Sequence, residues 1–274
     1  MTLPTTGTVV TYPLGDTTSE SRVLHVESLD DGRLAVLLDR TACHPVDAGW
    51  PDQRADGGVL DAGDVDIEIL DAVVAATDGE SLYLGSDIPV RKGTEGWTWV
   101  VAHLVGEDAG LTEGDTVTVE VDAGKREALS RGHSACHLAS LALDAALTGA
   151  WTKEPASFDR EANETSLIVE NGSVDTYRVG KSLRKKGFDV TALDDPAALA
   201  ARVNELLAGF SGPITIEREG DLLTDRRYWV QGDARIACGG THVSSVEELG
   251  TITVELVTEQ LEGAVGLSMR TTVE

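Results

Sequence analysis

Two pairs of potential metal-binding residues share the same spacing of four positions along the chain. His133 and His137 form the first pair, and Cys238 and His242 form the second. On a helix, this spacing places two imidazoles on one face, one turn apart, where both can bind the same ion. Glycines separate Cys238 from His242, so we expect a tight turn there instead of a helix. Each pair alone is a weak signal, but the two pairs together indicate a metal site.

The chemistry of these four side chains favours zinc. Thiolate and imidazole ligands prefer Zn²⁺ to Mg²⁺ or Ca²⁺, and four of them make a tetrahedral set. We therefore expect one zinc ion per chain, with His133, His137 and Cys238 as ligands. His242 is either a fourth ligand or a general base, because a fully ligated ion leaves no position for water. Ser134 stands where the His-Glu-x-x-His zinc proteases have glutamate, which excludes that class of protease.

The other cysteines are not expected to bind the ion. Cys136 is close to His133 in the sequence, but at about 100° per residue it faces about 100° away from the direction of His137. We therefore interpret Cys136 as a core residue. Cys43 and His44 are neighbours in the sequence, and neighbouring residues of a strand point to opposite faces. An odd number of cysteines in a chain without a secretion signal also argues against a disulfide framework.

The elements that must position these residues change in character near residue 123. Before that point, short apolar or alternating runs are separated by Gly and Asp turns, which predicts the strands of a small barrel or sandwich. The predicted strands cover residues 23–26, 34–38, 65–69, 82–84, 97–101 and 117–121. We accordingly divide the chain into a β domain, residues 1–122, and an α+β domain, residues 123–274.

The second domain begins with a helix that carries the first ligand pair. The segment 125–147 is rich in Ala and Leu and has no Pro, which predicts a helix. A second helix is predicted over 197–207, with Asp195 as N-cap and Pro196 in the first turn. Strands are predicted at residues 166–169, 214–217, 228–230 and 251–255.

The chain is unusually acidic, with 47 acidic and 22 basic residues and a formal net charge of −25. We interpret this as a solvated surface adapted to high salt, where the screening length falls to ~3 Å at 1 M. The alternative is a protein that avoids polyanions. Residues 1–122 carry 24 acidic and 6 basic side chains, so residues 123–274 are the better candidate for contact with a polyanion.

Nothing in the sequence predicts contact with a membrane. No stretch approaches the ~20 consecutive apolar residues of a membrane-spanning helix. The N-terminal residues lack the basic and apolar regions of a secretion signal. We therefore expect a cytoplasmic protein.

The two ligand pairs lie in motifs that resemble those of a known family. The motifs read Arg131-x-His133-Ser-Ala-x-His137-Leu138 and Arg235-Ile-x-Cys238-Gly-Gly-Thr-His242-Val243. They are similar to the editing domain of alanyl-tRNA synthetases and, more closely, to the free-standing alanyl-tRNA editing proteins of the AlaX type. The resemblance implies a small β-barrel followed by an α+β editing domain with a zinc site. It also implies hydrolysis, in trans, of the ester that joins a misplaced serine or glycine to tRNA for alanine.

The resemblance extends to residues that would contact the substrate. The family has a glycine-rich segment ending in Gln-x-x-Asp-x-Gly, and Gln53, Asp56 and Gly58 fit its spacing. The run before Gln53 departs from the family, because it is longer and reads Gly-Trp-Pro-Asp. Gln53 and Asp56 are therefore candidate substrate contacts, with a simple turn between strands as the alternative.

The glycine-rich turn of the second motif would supply the catalytic groups. With His242, the implied candidates are Thr241 and the backbone amides of Gly239 and Gly240. Such groups can hold the aminoacyl moiety or stabilise an oxyanion. Bound zinc would either activate water or orient the substrate.

A tRNA partner requires a basic surface on this acidic chain. The segment 178–186, here called the basic segment, holds five bases at spacings typical of one face of a short helix. These bases are Arg178, Lys181, Arg184, Lys185 and Lys186. We interpret them as phosphate contacts, the alternative being a solvated helix face.

Two other functions remain open at this point. A closed four-ligand zinc site could stabilise a tRNA-binding module without catalysis. The same scaffold could also hydrolyse another ester.

Overall fold

A computed structural model of the chain describes residues 2–274 and shows an α+β protein dominated by strands. The strands are β1 Val9–Val10, β2 Thr18–Ser28, β3 Arg33–Leu38, β4 Arg40–Thr41, β5 Gly58–Asp61, β6 Asp66–Ile69, β7 Asp71–Thr77, β8 Leu82–Leu84, β9 Thr98–Gly106, β10 Thr116–Val121, β11 Asn163–Val169, β12 Gly172–Val179, β13 Ile214–Arg218, β14 Arg227–Gln231, β15 Ala234–Ala237, β16 Ile252–Leu261 and β17 Ala264–Val273. The α-helices are α1 Ala123–Ala146, α2 Phe158–Ala162, α3 Lys181–Lys185 and α4 Pro196–Leu207.

The chain forms two compact units, and each is built from two separate segments. The first unit contains Met1–Glu127 and Thr215–Thr241, and the second contains Ala128–Ile214 and His242–Glu274. The predicted domain boundary follows residue 122, and the first segment of the first unit ends at Glu127. Residues 215–241 belong to the first unit although they lie between the two segments of the second unit in sequence. The division at residue 122 as a boundary between independently folding domains stays a prediction.

The first unit is built on an eight-stranded sheet with the order β6-β5-β10-β2-β3-β9-β7-β8. Only Leu70 separates β6 from β7, yet β6 pairs with β5 and β7 pairs with β9. The outer edge of β7 is covered by β8. Within residues 2–274 no ladder joins β6 to β8, and no closed barrel is found. The predicted α+β class is therefore confirmed, and the predicted small β-barrel is not confirmed.

The part of this sheet formed by β3, β7 and β9 is buried on both faces, because these strands are almost continuously apolar. In β3, Val36 and Leu38 belong to one apolar cluster, and Ala35 and Leu37 belong to the other. Successive side chains of a strand point to opposite faces, so both sets are covered. The six strands predicted before residue 122 all occur, and β1, β4, β5 and β7 are additional strands.

The second unit is built on a four-stranded antiparallel sheet with the order β11-β12-β17-β16. Helix α4 is fixed to β16 by Asn204, whose side-chain amide donates to Val254 O at 2.9 Å and accepts from Val254 N at 2.8 Å. The predicted N-cap of α4 is confirmed, because Asp195 accepts a hydrogen bond from Ala198 N at 2.9 Å. The strands predicted within residues 166–169 and 251–255 are also confirmed.

Helix α1 confirms the helix predicted over residues 125–147 and approaches the β11–β12 hairpin closely. A Cβ atom at Gly132 would lie 2.4 Å from Val169 O and 2.5 Å from Gly172 O, which is closer than carbon and oxygen can pack. The hairpin turn is tied to the helix through Asn171 N, which donates to Ala128 O at 2.8 Å. Glycine at position 132 therefore fixes the distance of the helix from the sheet, one residue before His133.

Among residues 2–274, none of the helices is both long enough and apolar enough to cross a lipid bilayer.

Candidate functional site

Three imidazoles of the second unit lie together. His133 and His137 project from α1, with ring centroids 4.9 Å apart, as a spacing of four on a helix requires. His242 lies 4.4 Å from His133 and 5.1 Å from His137, measured between centroids. The possible ligand atoms of the three rings lie within 4.8 Å of one another. His133 is buried, while the other two rings are partly exposed, so an ion bound here would remain accessible to solvent from one side.

A buried hydroxyl fixes His242 against α1. Ser134 Oγ lies 3.2 Å from His242 Nδ1, and it also accepts a hydrogen bond from Val243 N at 3.1 Å. If Nδ1 carries the ring proton and donates it to Ser134, the lone pair of Nε2 is available for a metal ion or a proton. Ser134 belongs to the first motif, but its contact with a histidine on a distant segment has no signal in the sequence.

Gln53 holds the other end of the glycine-rich turn, within the first unit. Its side-chain Nε2 donates to Thr241 Oγ1 at 2.9 Å, and its Oε1 accepts from Thr241 N at 3.0 Å. Both residues are buried. Before the turn, Cys238 N donates to Arg227 O at 3.1 Å, which attaches the turn to β14. Gly239 is exposed and Gly240 is buried. Gln53 is therefore a positioning residue for Thr241, whatever else it contacts.

The donor chemistry of the site fits a transition metal. The three imidazoles of the second unit make up a nitrogen donor set that could hold a metal ion. Cys238, four residues before His242 in the chain, stays a predicted sulfur ligand. Nitrogen and sulfur donors of this kind suit zinc and do not suit Mg²⁺ or Ca²⁺, which prefer oxygen.

Asp56 has an evident structural role. Its carboxylate pairs with the buried Arg126 and accepts a hydrogen bond from His44 N at 2.6 Å. Arg126 also donates to Ala42 O at 2.7 Å and to Asp16 O at 3.0 Å. The pair therefore fastens the loop that carries Gln53 to the start of α1. Sequence analysis did not identify Arg126, and a substrate contact by Asp56 stays a prediction.

Cys136 lies in the core, as the helical geometry indicated. It is buried with Leu129 and Ile168, and its thiol donates to Asp175 Oδ1 at 3.3 Å. Burial, and next the negative charge of Asp175, raise the pKa of the Cys136 thiol well above its ordinary value. A protonated, buried thiol is a poor metal ligand.

Two histidines of the first unit have structural partners. His103 is buried, with Nδ1 donating to Val36 O at 3.2 Å and Nε2 2.8 Å from Thr41 Oγ1. Burial lowers the pKa of His103 to about 4, so its ring is neutral near pH 7. His25 contacts Glu113 and Glu27. Neither is part of the metal donor set.

The five bases of the basic segment are exposed, but only Lys181, Arg184 and Lys185 lie in the predicted short helix, α3, whereas Arg178 lies in β12. Arg184 is tethered through its guanidinium to Gly263 O at 2.6 Å, and Lys186 pairs with Glu161. Arg178 donates to Glu262 O at 3.4 Å. Lys181 and Lys185 are exposed to solvent. The two lysines are therefore the bases best placed to meet an external anion.

The Ser134 contact makes a specific prediction for metal affinity. Ser134→Ala removes the hydroxyl that orients His242, so the protein should bind zinc about 10–100-fold more weakly. Competition with a chromogenic chelator measures this affinity. Ser140→Ala is the matched control, because Ser140 is a buried serine on the same helix that donates to Asp159 instead. Equal zinc affinity in the two variants would contradict the orienting role of Ser134.

Comparison with known proteins identifies the relatives of this chain. No model of a protein family matches it. The alanyl-tRNA editing protein AlaX-M of Pyrococcus horikoshii is 29% identical over 222 residues, which cover 80% of this chain and 78% of that protein. The alanine–tRNA ligases of Cupriavidus necator and Frankia alni are 26% and 27% identical over 247 residues. The chain spans 24% of the length of each ligase. It therefore resembles AlaX-type alanyl-tRNA editing proteins along most of its length, and alanine–tRNA ligases along about a quarter of theirs.

Proposed function

We propose that this protein is a zinc-dependent hydrolase that removes serine or glycine from mischarged tRNA for alanine. The observation that carries the proposal is the cluster of three imidazoles, in a chain aligned over most of its length with an alanyl-tRNA editing protein. Its reaction would be hydrolysis of the ester between the amino acid and the terminal ribose. The enzyme would act in trans, on tRNA charged by a ligase.

We assign one zinc ion to His133, His137 and Cys238, with His242 beside it. Zinc bound by these donors would supply Lewis-acid chemistry for ester hydrolysis. Sulfur and nitrogen are the donors of many protein zinc sites, which supports this choice of ion. The partial exposure of His137 and His242 supports access of substrate and water to the ion.

His242 is proposed to accept the proton of the attacking water at Nε2. In this proposal, Ser134 of α1 accepts the proton of Nδ1, which leaves Nε2 unprotonated. The same contact fixes the orientation of the ring. The water oxygen forms a bond to the ester carbonyl carbon, and the bond from that carbon to the ribose oxygen breaks. The proton then passes to the ribose oxygen, leaving a free amino acid and a tRNA with an intact terminal hydroxyl.

The glycine-rich turn is proposed to hold the reacting ester. The amides of Gly239 and Gly240 would donate to the oxyanion that develops on the carbonyl oxygen. Thr241 would contact the aminoacyl group, with Gln53 keeping its hydroxyl in place. A direct substrate contact by Gln53 or Asp56 is compatible with this arrangement but is not required by it.

The tRNA is proposed to contact the basic segment. Long-range electrostatics disfavour a polyanion on a chain with a net charge of −25, so local cations must provide attraction. Lys181 and Lys185 are the exposed bases that would face phosphates, flanked by Arg178, Arg184 and Lys186.

A second candidate is a tRNA-binding module stabilised by zinc without catalysis. It is favoured by the presence of four potential ligands, which can close the coordination sphere of zinc completely. The two candidates differ in whether the metal-loaded protein releases an amino acid.

The first prediction of the enzyme proposal concerns activity. The zinc-loaded protein should release serine or glycine from Ser- or Gly-tRNA for alanine, and a chelator should abolish release until zinc is restored. At a zinc concentration that saturates the variant, His242→Asn should slow deacylation by about 10²–10⁴-fold, the range expected for loss of a general base. Release of radiolabelled amino acid measures the rate, and metal analysis measures zinc.

The control is His25→Asn, which alters a histidine held by two glutamates outside the donor set. It should leave the rate unchanged. Absence of release by zinc-loaded wild-type protein, with loss of the fold on chelation, would establish the non-catalytic module instead.

The second prediction concerns the basic segment. The double variant Lys181→Glu, Lys185→Glu should raise the KM for mischarged tRNA without changing kcat. Loss of two phosphate contacts should also reduce the slope of log affinity against log salt by about 1.4–1.8. Salt titrations of tRNA binding measure that slope.

The double variant Arg202→Glu, Arg270→Glu is the charge-matched control, since both arginines are exposed in the same unit but lie outside the basic segment. If both double variants changed KM equally, the effect would be one of net charge, and the basic segment would not be the contact surface.

A further inference from the structure

The first unit contains a cavity of about 460 Å³ that the sequence analysis did not anticipate. Cys238, Gly239 and Gly240 form part of its wall, so it adjoins the glycine-rich turn. Trp50, His44 and Arg227 also line it. Its volume suits a small organic ligand such as a nucleotide.

Trp50 supplies an exposed aromatic surface on this wall. It is 66% exposed, although a tryptophan is usually covered in a folded protein. Its orientation is fixed, because the indole Nε1 donates to Asp52 Oδ2 at 2.9 Å and the backbone N donates to Asp47 O at 2.9 Å. Trp50 also lies in the run where the chain departs from the glycine-rich pattern. An ordered, exposed indole beside a cavity is a platform on which a base can stack.

Arg227 supplies a buried positive charge on the same wall. It is 7% exposed, and its guanidinium donates to Leu222 O at 2.8 Å and to Tyr12 Oη at 3.4 Å. Within residues 2–274, no carboxylate forms an ion pair with Arg227, and its buried Nε has no hydrogen-bond partner. Burial raises the pKa of Tyr12 to about 12, so that hydroxyl stays neutral and does not balance the charge. A buried arginine that lacks a carboxylate is suited to an incoming phosphate.

Most of the remaining charged groups on the wall already have partners, including Asp52, which accepts from the indole of Trp50. Asp47 pairs with Lys92, and Asp225 accepts a hydrogen bond from Leu222 N at 2.8 Å. Arg226 adds a further exposed cation. Among the described residues of the wall, Arg227 is therefore the buried cation that lacks an anionic partner.

We propose that this cavity binds the terminal nucleotide of the RNA substrate, with its base stacked on Trp50 and its phosphate held by Arg227. The assignment rests on the proposed function, which brings an RNA end to the glycine-rich turn. It adds a substrate subsite and makes Trp50 a residue that governs how tightly the RNA end is held.

Calorimetric titration of the zinc-loaded protein with adenosine 5′-monophosphate tests the subsite without any deacylation step. Trp50→Ala should weaken nucleotide binding about tenfold, the loss expected for one stacked base, while Trp50→Phe should retain most of it. Arg227→Gln should weaken binding of the nucleotide about tenfold but leave binding of adenosine unchanged, because only the phosphate is affected. Zinc content and thermal unfolding of each variant show that it is folded.

Two exposed residues outside the wall provide matched controls. Val65→Ala removes an exposed apolar side chain, and Arg91→Gln removes a cation next to Lys92. Both should bind the nucleotide like wild-type protein. Absence of nucleotide binding, or equal affinity of wild-type protein and Trp50→Ala, would overturn the subsite. If the wild-type protein binds the nucleotide but deacylates no tRNA, the proposed function fails while the subsite stands.

Discussion

The site depends on one buried hydroxyl that joins two segments separated by 108 residues of sequence. Ser134 on α1 contacts His242 Nδ1 and Val243 N, so it sets both the position of the later segment and the orientation of its imidazole. Without this contact, His242 would belong to a loop that is free to place its ring elsewhere. When this hydroxyl accepts the proton of Nδ1, the lone pair of Nε2 is the one available for chemistry.

Other contacts fix, within each unit, the elements that carry the site residues. Gly132 allows α1 to lie against the β11–β12 hairpin at a distance that no side chain would permit, and the next residue is His133. In the first unit, the side-chain amide of Gln53 forms two hydrogen bonds with Thr241. The buried Asp56–Arg126 pair fastens the loop that carries Gln53. A buried pair of this kind is destabilising to break, because removal of one partner leaves an uncompensated charge.

Local patterns made much of this predictable, and long-range contacts account for what was missed. The spacing of His133 and His137 and the N-cap at Asp195 are set by helix geometry, so the sequence indicates them directly. The small barrel is not confirmed, because an alternating sequence indicates strands but not how the edges of a sheet pair. Ser134, Arg126 and Arg227 matter through partners far away in the chain, and no periodicity or motif marks such pairings. The grouping of residues 215–241 with the first unit is hidden for the same reason.

The central claim is that one zinc ion is bound by imidazoles and by the thiol of Cys238, and X-ray absorption at the zinc edge tests it most directly. The zinc-loaded protein should show one sulfur at about 2.3 Å together with nitrogens at about 2.0–2.1 Å. The sulfur should vanish in Cys238→Ala and persist in Cys136→Ala. A coordination shell without sulfur in the wild-type protein, or a sulfur that survives in Cys238→Ala, would contradict the account.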